Sequence, residues 1–371
     1  MRPWQYTIIT ISALLSIIAA GLVHSVYSTK TTENVKGEKL LPDFDRYADN
    51  ISSIVIQSGE TILTLIKKKE GTWRLSERDF YPVQHKKVYA LLNQIANAEL
   101  IETKTRNPEL FKLLEVEDPS KENVNSKRIR LLDEKGYTLS DIVLGKLRYS
   151  AFGRDKSGTY VRRFSDTQTW LTNTIIQIPL DIPEWVNSKF LNLPANKINL
   201  VTLTPPNGQI IKLIREEQDK LLSTGEDKKN NTGVVNNKFE DYKFLFKSIP
   251  KGQKIKEEVD ASQLVTALET LRLRDVRKAS ETKFQKDTKT YKVYIETEDL
   301  MKVSVKLSEL EKKEYWLSVE MHEDGKDKEI ANLMKISTEG WEFKISPWQV
   351  ESIFKNTTDV FENETKKVKT N

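Results

Sequence analysis

No cysteine occurs among the 371 residues. That absence excludes disulfides, thiolate nucleophiles, iron–sulfur clusters and cysteine-type zinc sites. It excludes an acylated-cysteine lipoprotein anchor too. Histidine is nearly missing: His24, His85 and His322 are the three present, and none has another two to four positions away. No helical or strand pair of metal ligands can therefore be written. Glycine (14) and proline (12) are too sparse for a collagen-like or low-complexity chain. Charge of one sign is not in excess. The 59 basic and 54 acidic residues leave a net +5 and are interspersed, without the basic stripe and interleaved aromatics of a nucleic-acid binder. Runs such as Lys67-Lys68-Lys69 read as solvated strand ends, and no nucleic-acid partner is expected.

What is present is enough for real cores, at 38% hydrophobic and 30% charged residues. The length favours two lobes over one. One long uncharged run stands apart. Between Arg2 and Lys30 no residue is charged, and residues 6–27 are as long and apolar as a bilayer-spanning helix requires. Trp4 and Tyr6 at one end and Tyr27 at the other suit the two interfaces. Ser12, Ala13, Ser16, Ala19, Ala20 and Gly21 offer a small-residue packing face, or are simply tolerated in lipid. A cleavable signal peptide is the rival, with Val26-Tyr27-Ser28 as a passable site, but the apolar run is long for one. The expectation is an uncleaved anchor at 1–28 with the large C-terminal part outside the cytoplasm.

Residues 29–48 are polar and read as a tether. Ile51–Ile56 and Thr61–Lys67 then form a hairpin pattern, Trp73–Leu75 a third strand, and Val88, Leu91, Leu92 and Ile95 carry helical spacing after Pro82. Arg128–Leu132, Leu139–Leu144, Thr159–Phe164 and Gln168–Thr172 follow as strands, then a short helix at Pro183–Phe190. The second half repeats this order. Ile198–Leu203 and Gln209–Ile214 mirror the first hairpin, and the helical pattern Val259–Val276 (Leu264, Leu268, Leu271) mirrors Val83–Leu100. Tyr291–Glu296 and Lys302–Leu307 mirror Arg128–Val143. Trp316–Val319, Met334–Ile336 and Trp341–Ile345 complete a second set of strands, and Pro347–Phe354 closes with a helix. The predicted fold class is α+β: an N-terminal transmembrane helix, then two tandem copies of a β-hairpin, helix, β-meander module with antiparallel sheets. The copies span 49–194 and 195–356. A polar loop at 216–238 interrupts the second and reads as mobile, and 357–371 reads as a disordered tail.

A search for chemistry finds little. Neither a Gly-x-Ser-x-Gly elbow nor a phosphate-binding glycine loop occurs. Ser248–Lys251 and Ser352–Lys355 match Ser-x-x-Lys, a pattern too short to mean much in a Lys- and Ser-rich chain. Asp181-Ile-Pro-Glu184 reads as a capping box with Pro in the first turn. Asp133, Asp155 and Asp166 read as turn formers. Trp73, Trp170, Trp185, Trp316 and Trp341 read as core anchors in preference to a carbohydrate platform. No catalytic, cofactor-binding or metal residue is assigned, and an enzyme is not expected.

Several segments together resemble the DUF4340 family. They are Gly71–Leu75 (Gly-Thr-Trp-Arg-Leu) with Phe80–Val83, Val143–Lys146 (Val-Leu-Gly-Lys), Gly158–Arg162 (Gly-Thr-Tyr-Val-Arg), Gln168–Leu171 and Gly340–Ile345. The resemblance covers about residues 50 to 355. It implies a single-pass protein of the bacterial inner (cytoplasmic) membrane, with its C-terminal domain in the periplasm or outside the cell. Such proteins are often associated with ABC-type transport systems, including auxiliary components linked to gliding motility. No catalytic residue comes with it; Arg162 is the polar position to watch, its plainer reading being a paired strand arginine. The expected function is a membrane-anchored accessory or scaffold protein with a membrane complex, ABC transporter subunits among them, as partner. The alternative is an envelope ligand-binding protein taking glycan or peptide in a cleft between the two copies. A scaffold predicts an exposed apolar face, a ligand binder a concave pocket with exposed tryptophans, and a hydrolase converging carboxylates with raised pKa.

Overall fold

The computed structural model describes Ser16 and residues 37–150, 157–191, 193–216, 242–279, 289–310 and 313–364. Among these no helix is long and apolar enough to cross a membrane. The expected span 6–27, Ser16 apart, lies outside them, as does the loop 217–238. The described residues form two compact units that divide between Trp185 and Val186, both of them α+β with antiparallel sheets.

The first unit holds β1 (Glu38–Lys39), α1 (Phe44–Tyr47), β2 (Ser53–Ser58), β3 (Thr61–Lys67), β4 (Trp73–Leu75), β5 (Tyr81–Pro82), α2 (His85–Asn97) and β6 (Glu99–Thr103). It continues with α3 (Phe111–Leu114), β7 (Lys127–Leu132), β8 (Thr138–Arg148), β9 (Gly158–Arg163), β10 (Thr169–Thr172) and α4 (Ile182–Trp185). The sheet order is β1-β6-β10-β9-β8-β7-β2-β3-β4-β5. Cross-strand partners share a face, so Ile54 with Leu131, Ile56 with Ile129, and Ile129 with Ile142 form one buried layer. The stripe Val88, Leu91, Leu92 and Ile95 of α2 is buried as its spacing predicts. Alternation turns Val143, Tyr160 and Leu171 to the other face, where they cluster with Phe111 and Val116.

The second unit holds β11 (Ile198–Thr204), β12 (Ile211–Arg215), β13 (Phe244–Phe246), β14 (Gln253–Ile255), α5 (Ala261–Glu269), β15 (Asp275–Lys278), β16 (Thr290–Thr297) and β17 (Met301–Leu310). Then come β18 (Glu314–Asp324), α6 (Lys328–Thr338), β19 (Trp341–Ile345), α7 (Pro347–Ile353), α8 (Thr357–Val360) and β20 (Phe361–Asn363). The main sheet runs β15-β19-β18-β17-β16-β11-β12-β13, strand for strand the order β6-β10-β9-β8-β7-β2-β3-β4 of the first unit. Helices α5 and α7 pack together, and α6 packs on β18 and β19.

Several expectations are corrected. Met334–Ile336 is not a strand but part of α6, whose N-cap Asp327 accepts from Ile330 N at 3.1 Å; its apolar residues follow helical spacing, not alternation. The helical pattern 259–276 stops at Glu269. Beyond it Leu273 N donates to Ser188 O (3.0 Å) and Arg274 N to Lys344 O (2.7 Å), which draws the backbone into the sheet as β15. In the same way α2 ends at Asn97 and β6, absent from the sequence reading, follows at once. The tether 29–48 is packed from Glu38 onward: β1 pairs with β6, and Leu40 and Leu41 are buried. Residues 186–194 fall with the second unit, where Phe190 stacks on Phe343 at 4.3 Å. The tail 357–371 is ordered to Glu364, since β20 pairs with β14 and buries Val360 and Phe361.

Candidate functional site

At one end of the first sheet, where β7 begins and β8 ends, lies a cleft of about 880 Å³ walled by β7, β8, the connection from α3 and residues 176–184. Lys127 opens β7 and shares the face of Ile129 and Leu131, with Leu144 as its cross-strand partner. Its ammonium donates to Ile178 O at 2.8 Å. Burial pushes the Lys127 pKa down, while Asp181 and Glu115 oppose that. Glu115 ends α3 in the left-handed conformation and accepts from Asn125 Nδ2 at 3.2 Å. Gly145 permits this geometry. A Cβ there would stand 2.1 Å from Leu114 O and 2.9 Å from Glu115 O, so only glycine lets the α3 turn lie against β8. No tryptophan lines this cleft, or the smaller one of the second unit beside α5.

Arg162 is buried on the face opposite that layer. Its guanidinium donates to Val116 O (3.1 Å), Phe164 O (2.7 Å) and Asp166 O (3.0 Å), and lies 5.0 Å from the Phe111 ring. Burial lowers its pKa, against the attraction of Asp118, Asp141 and Asp166. With three carbonyls satisfied, Arg162 clips the 111–118 connection and the β9–β10 turn to the sheet; it is a structural arginine. Beside it, Arg128 grips Asp141 with two hydrogen bonds (2.8 and 2.6 Å) and lies over Phe164.

The second unit carries a comparable pair across β15 and β19. Glu342 is fully buried, accepts from Arg277 Nε at 2.6 Å, and Arg277 lies 3.8 Å from the Trp316 ring. Helix α6 packs on β18 and β19, burying Ala331, Met334 and Thr338, and turns Ile330, Leu333 and Ile336 to solvent, the last two nearly 60% exposed.

The remaining candidates find ordinary places. His85 lies in the first turn of α2, and His24 is outside the described residues. His322 stands on β18, not in a turn, and sequence reasoning missed its partners. Ser304 Oγ is 2.7 Å from Nε2 and Glu320 Oε1 is 3.9 Å from Nδ1, the atom order of a catalytic triad. The chemistry fails on its surroundings. The Glu320 side chain is 77% exposed, and the interior strands β17 and β18 spend their backbone N–H groups on the ladder, leaving no donor pair for an oxyanion. Ser352 O–H donates to Trp348 O (2.8 Å) within α7. The expected capping box at Asp181–Glu184 is not formed, because the Glu184 carboxylate turns to Lys87 at 3.6 Å. Asp133 and Asp166 cap their own turns. Trp73, Trp185 and Trp316 are buried, Trp170 and Trp341 partly so, while Trp348 is exposed. Among the described residues no cluster of three His, Asp or Glu side chains could hold a metal ion.

A family model described as a domain of unknown function, DUF4340, matches residues 73–293. No curated protein and no solved structure matches the chain.

Proposed function

The chain belongs to the DUF4340 family, and from that premise we propose that it is a membrane-anchored accessory or scaffold protein acting by protein–protein contact. Its anchor is the uncharged run 6–27, which places the two units outside the cytoplasm of a bacterium. Its partner is a membrane complex, with ABC-type transporter subunits the first candidates. The observation that carries the reading is the outward face of α6. Leu333 and Ile336 leave most of their aliphatic surface in water, with Ile330 partly exposed beside them, and such faces mark contact sites. The helix spans its own charges: Asp324 pairs with Lys335 at 2.6 Å and with Lys328 at 3.9 Å. A protein surface suits that neutral rim better than an anionic lipid surface does.

The test is affinity purification of the full-length protein from its native membrane in mild detergent, with mass spectrometry of what accompanies it. Transporter subunits should co-purify, be reduced by deletion of residues 1–28, and be lost from an Ile330→Ser, Leu333→Ser, Ile336→Ser variant whose thermal stability is unchanged. Recovery of the protein alone, where other membrane complexes survive, would sink the reading. A second reading, ligand binding, is favoured by the cleft at Lys127, which lies within the first unit.

A further inference from the structure

We propose that the cleft of the first unit binds a monoanionic ligand, a carboxylate joined to an apolar part, whose charged group rests on the Lys127 ammonium. This deepens the ligand-binding reading and rests on it.

The two units supply an internal control. Ile56 pairs with Ile129 and Ile54 with Leu131 in the first; Leu203 pairs with Val293 and Val201 with Ile295 in the second. Two residues before Ile129 stands Lys127, opposite Leu144, and two before Val293 stands Tyr291, opposite Leu307. The two positions are therefore equivalent. In the second unit the place is filled: the Tyr291 ring meets Phe354 edge-on at 6.0 Å and its hydroxyl reaches Asn356 Oδ1 at 3.3 Å. Phe354 caps the seven-residue α7, whereas α4 at the end of the first unit has four residues. There the place is the cleft, and a lysine stands where the strand alternation calls for an apolar side chain and the equivalent strand carries a tyrosine packed on Phe354.

Lys127 is half-buried at the cleft, and burial disfavours its charged form. Lys127 has three N–H donors, and Ile178 O takes one. Among the described residues no ion pair within 4.0 Å involves Lys127, its nearest recorded polar partner being the Ile178 carbonyl. Departures of this kind from the local pattern are expected at functional sites. Glu115 and Glu184 line the cleft with Lys127 and Lys146, and Asp181 also acts on Lys127, so a phosphate dianion is disfavoured against a single negative charge. Leu144, Leu147, Ile176 and Pro179 line the same cleft and would receive the apolar part.

The experiment titrates the full-length protein in mild detergent with butyrate, phenylacetate and acetyl-leucine, each beside its uncharged amide, and with inorganic phosphate, by isothermal calorimetry. At least one acid should bind about tenfold more tightly than its amide. Lys127→Met should abolish that preference and leave Tm equal or higher, because an apolar side chain fits the position. Lys127→Arg should keep the preference, and Lys135→Met, in the β7–β8 turn, should not change it. Equal binding of acid and amide would overturn the anionic assignment while leaving the cleft a binding site. Absence of any binding up to about 10 mM would overturn both. Phosphate binding tighter than every acid, or unchanged acid preference in Lys127→Met, would also overturn the proposal.

Discussion

Tyr81 shows how much one buried group can govern. Its phenol is almost wholly enclosed on β5, and burial holds its pKa far above the usual tyrosine value. The unfolded chain ionises it near pH 10, whereas the folded chain keeps it neutral. Its contribution is therefore complete below about pH 10 and is lost as the pH rises toward the folded value, at about 1.4 kcal/mol per pH unit. Urea midpoints measured from pH 8 to 11.5 should fall above about pH 10 more steeply for the parent than for Tyr81→Phe. Equal slopes would refute the assignment. Arg162 teaches a related lesson. It is the polar position to watch within the resembling segments, yet the partner that makes it a clip, Val116 O, lies 46 positions away in sequence. Nothing local announces that such an arginine is structural.

Among the elements, β8 and α3 illustrate a contact that one methyl group would break. Gly145 interrupts the pairing of β8 with β9, where the register shifts between Leu144 and Leu147. Gly145→Ala would force either the strand or the α3 turn to move, and a clash with backbone cannot be relieved by a rotamer. A loss of about 3 kcal/mol or more in urea unfolding is expected; a loss under about 0.5 kcal/mol would show that the turn relaxes freely. Two of the strands that escaped the sequence reading, β6 and β15, share a cause. Each follows its helix within a few residues and carries only one or two apolar side chains, so helical periodicity masks it. Each becomes a strand because β10 or β19 presents a partner edge, a long-range fact. The α6 helix failed in the opposite sense: the short run Met334–Ile336 looks alternating until Ile330 and Leu333 are counted with it.

For the molecule as a whole, the two units have their own sheets, helices and buried layers, which makes each a candidate for autonomous folding. Residues 37–185 and 186–371, produced separately, should each give a β-rich circular dichroism spectrum and one cooperative urea transition. A fragment that stays unfolded would show that its unit needs the rest of the chain.

The amino-acid sequence alone determined the class of fold, the core stripe of α2, the order of the hairpins and meanders in both halves, and the family. These follow from short-range periodicity, because alternation and 3.6-residue spacing are properties of neighbouring residues. It also carried the uncharged run 6–27 that the anchor reading depends on. Only the tertiary structure decided which arginine is a clip, where β6 and β15 close their sheets, that the C-terminal segment pairs through β20, and that Lys127 faces a cleft where its counterpart Tyr291 is packed. Each of those depends on which distant strand lies alongside. That is set by the summed burial and pairing of the sheet, not by any local pattern.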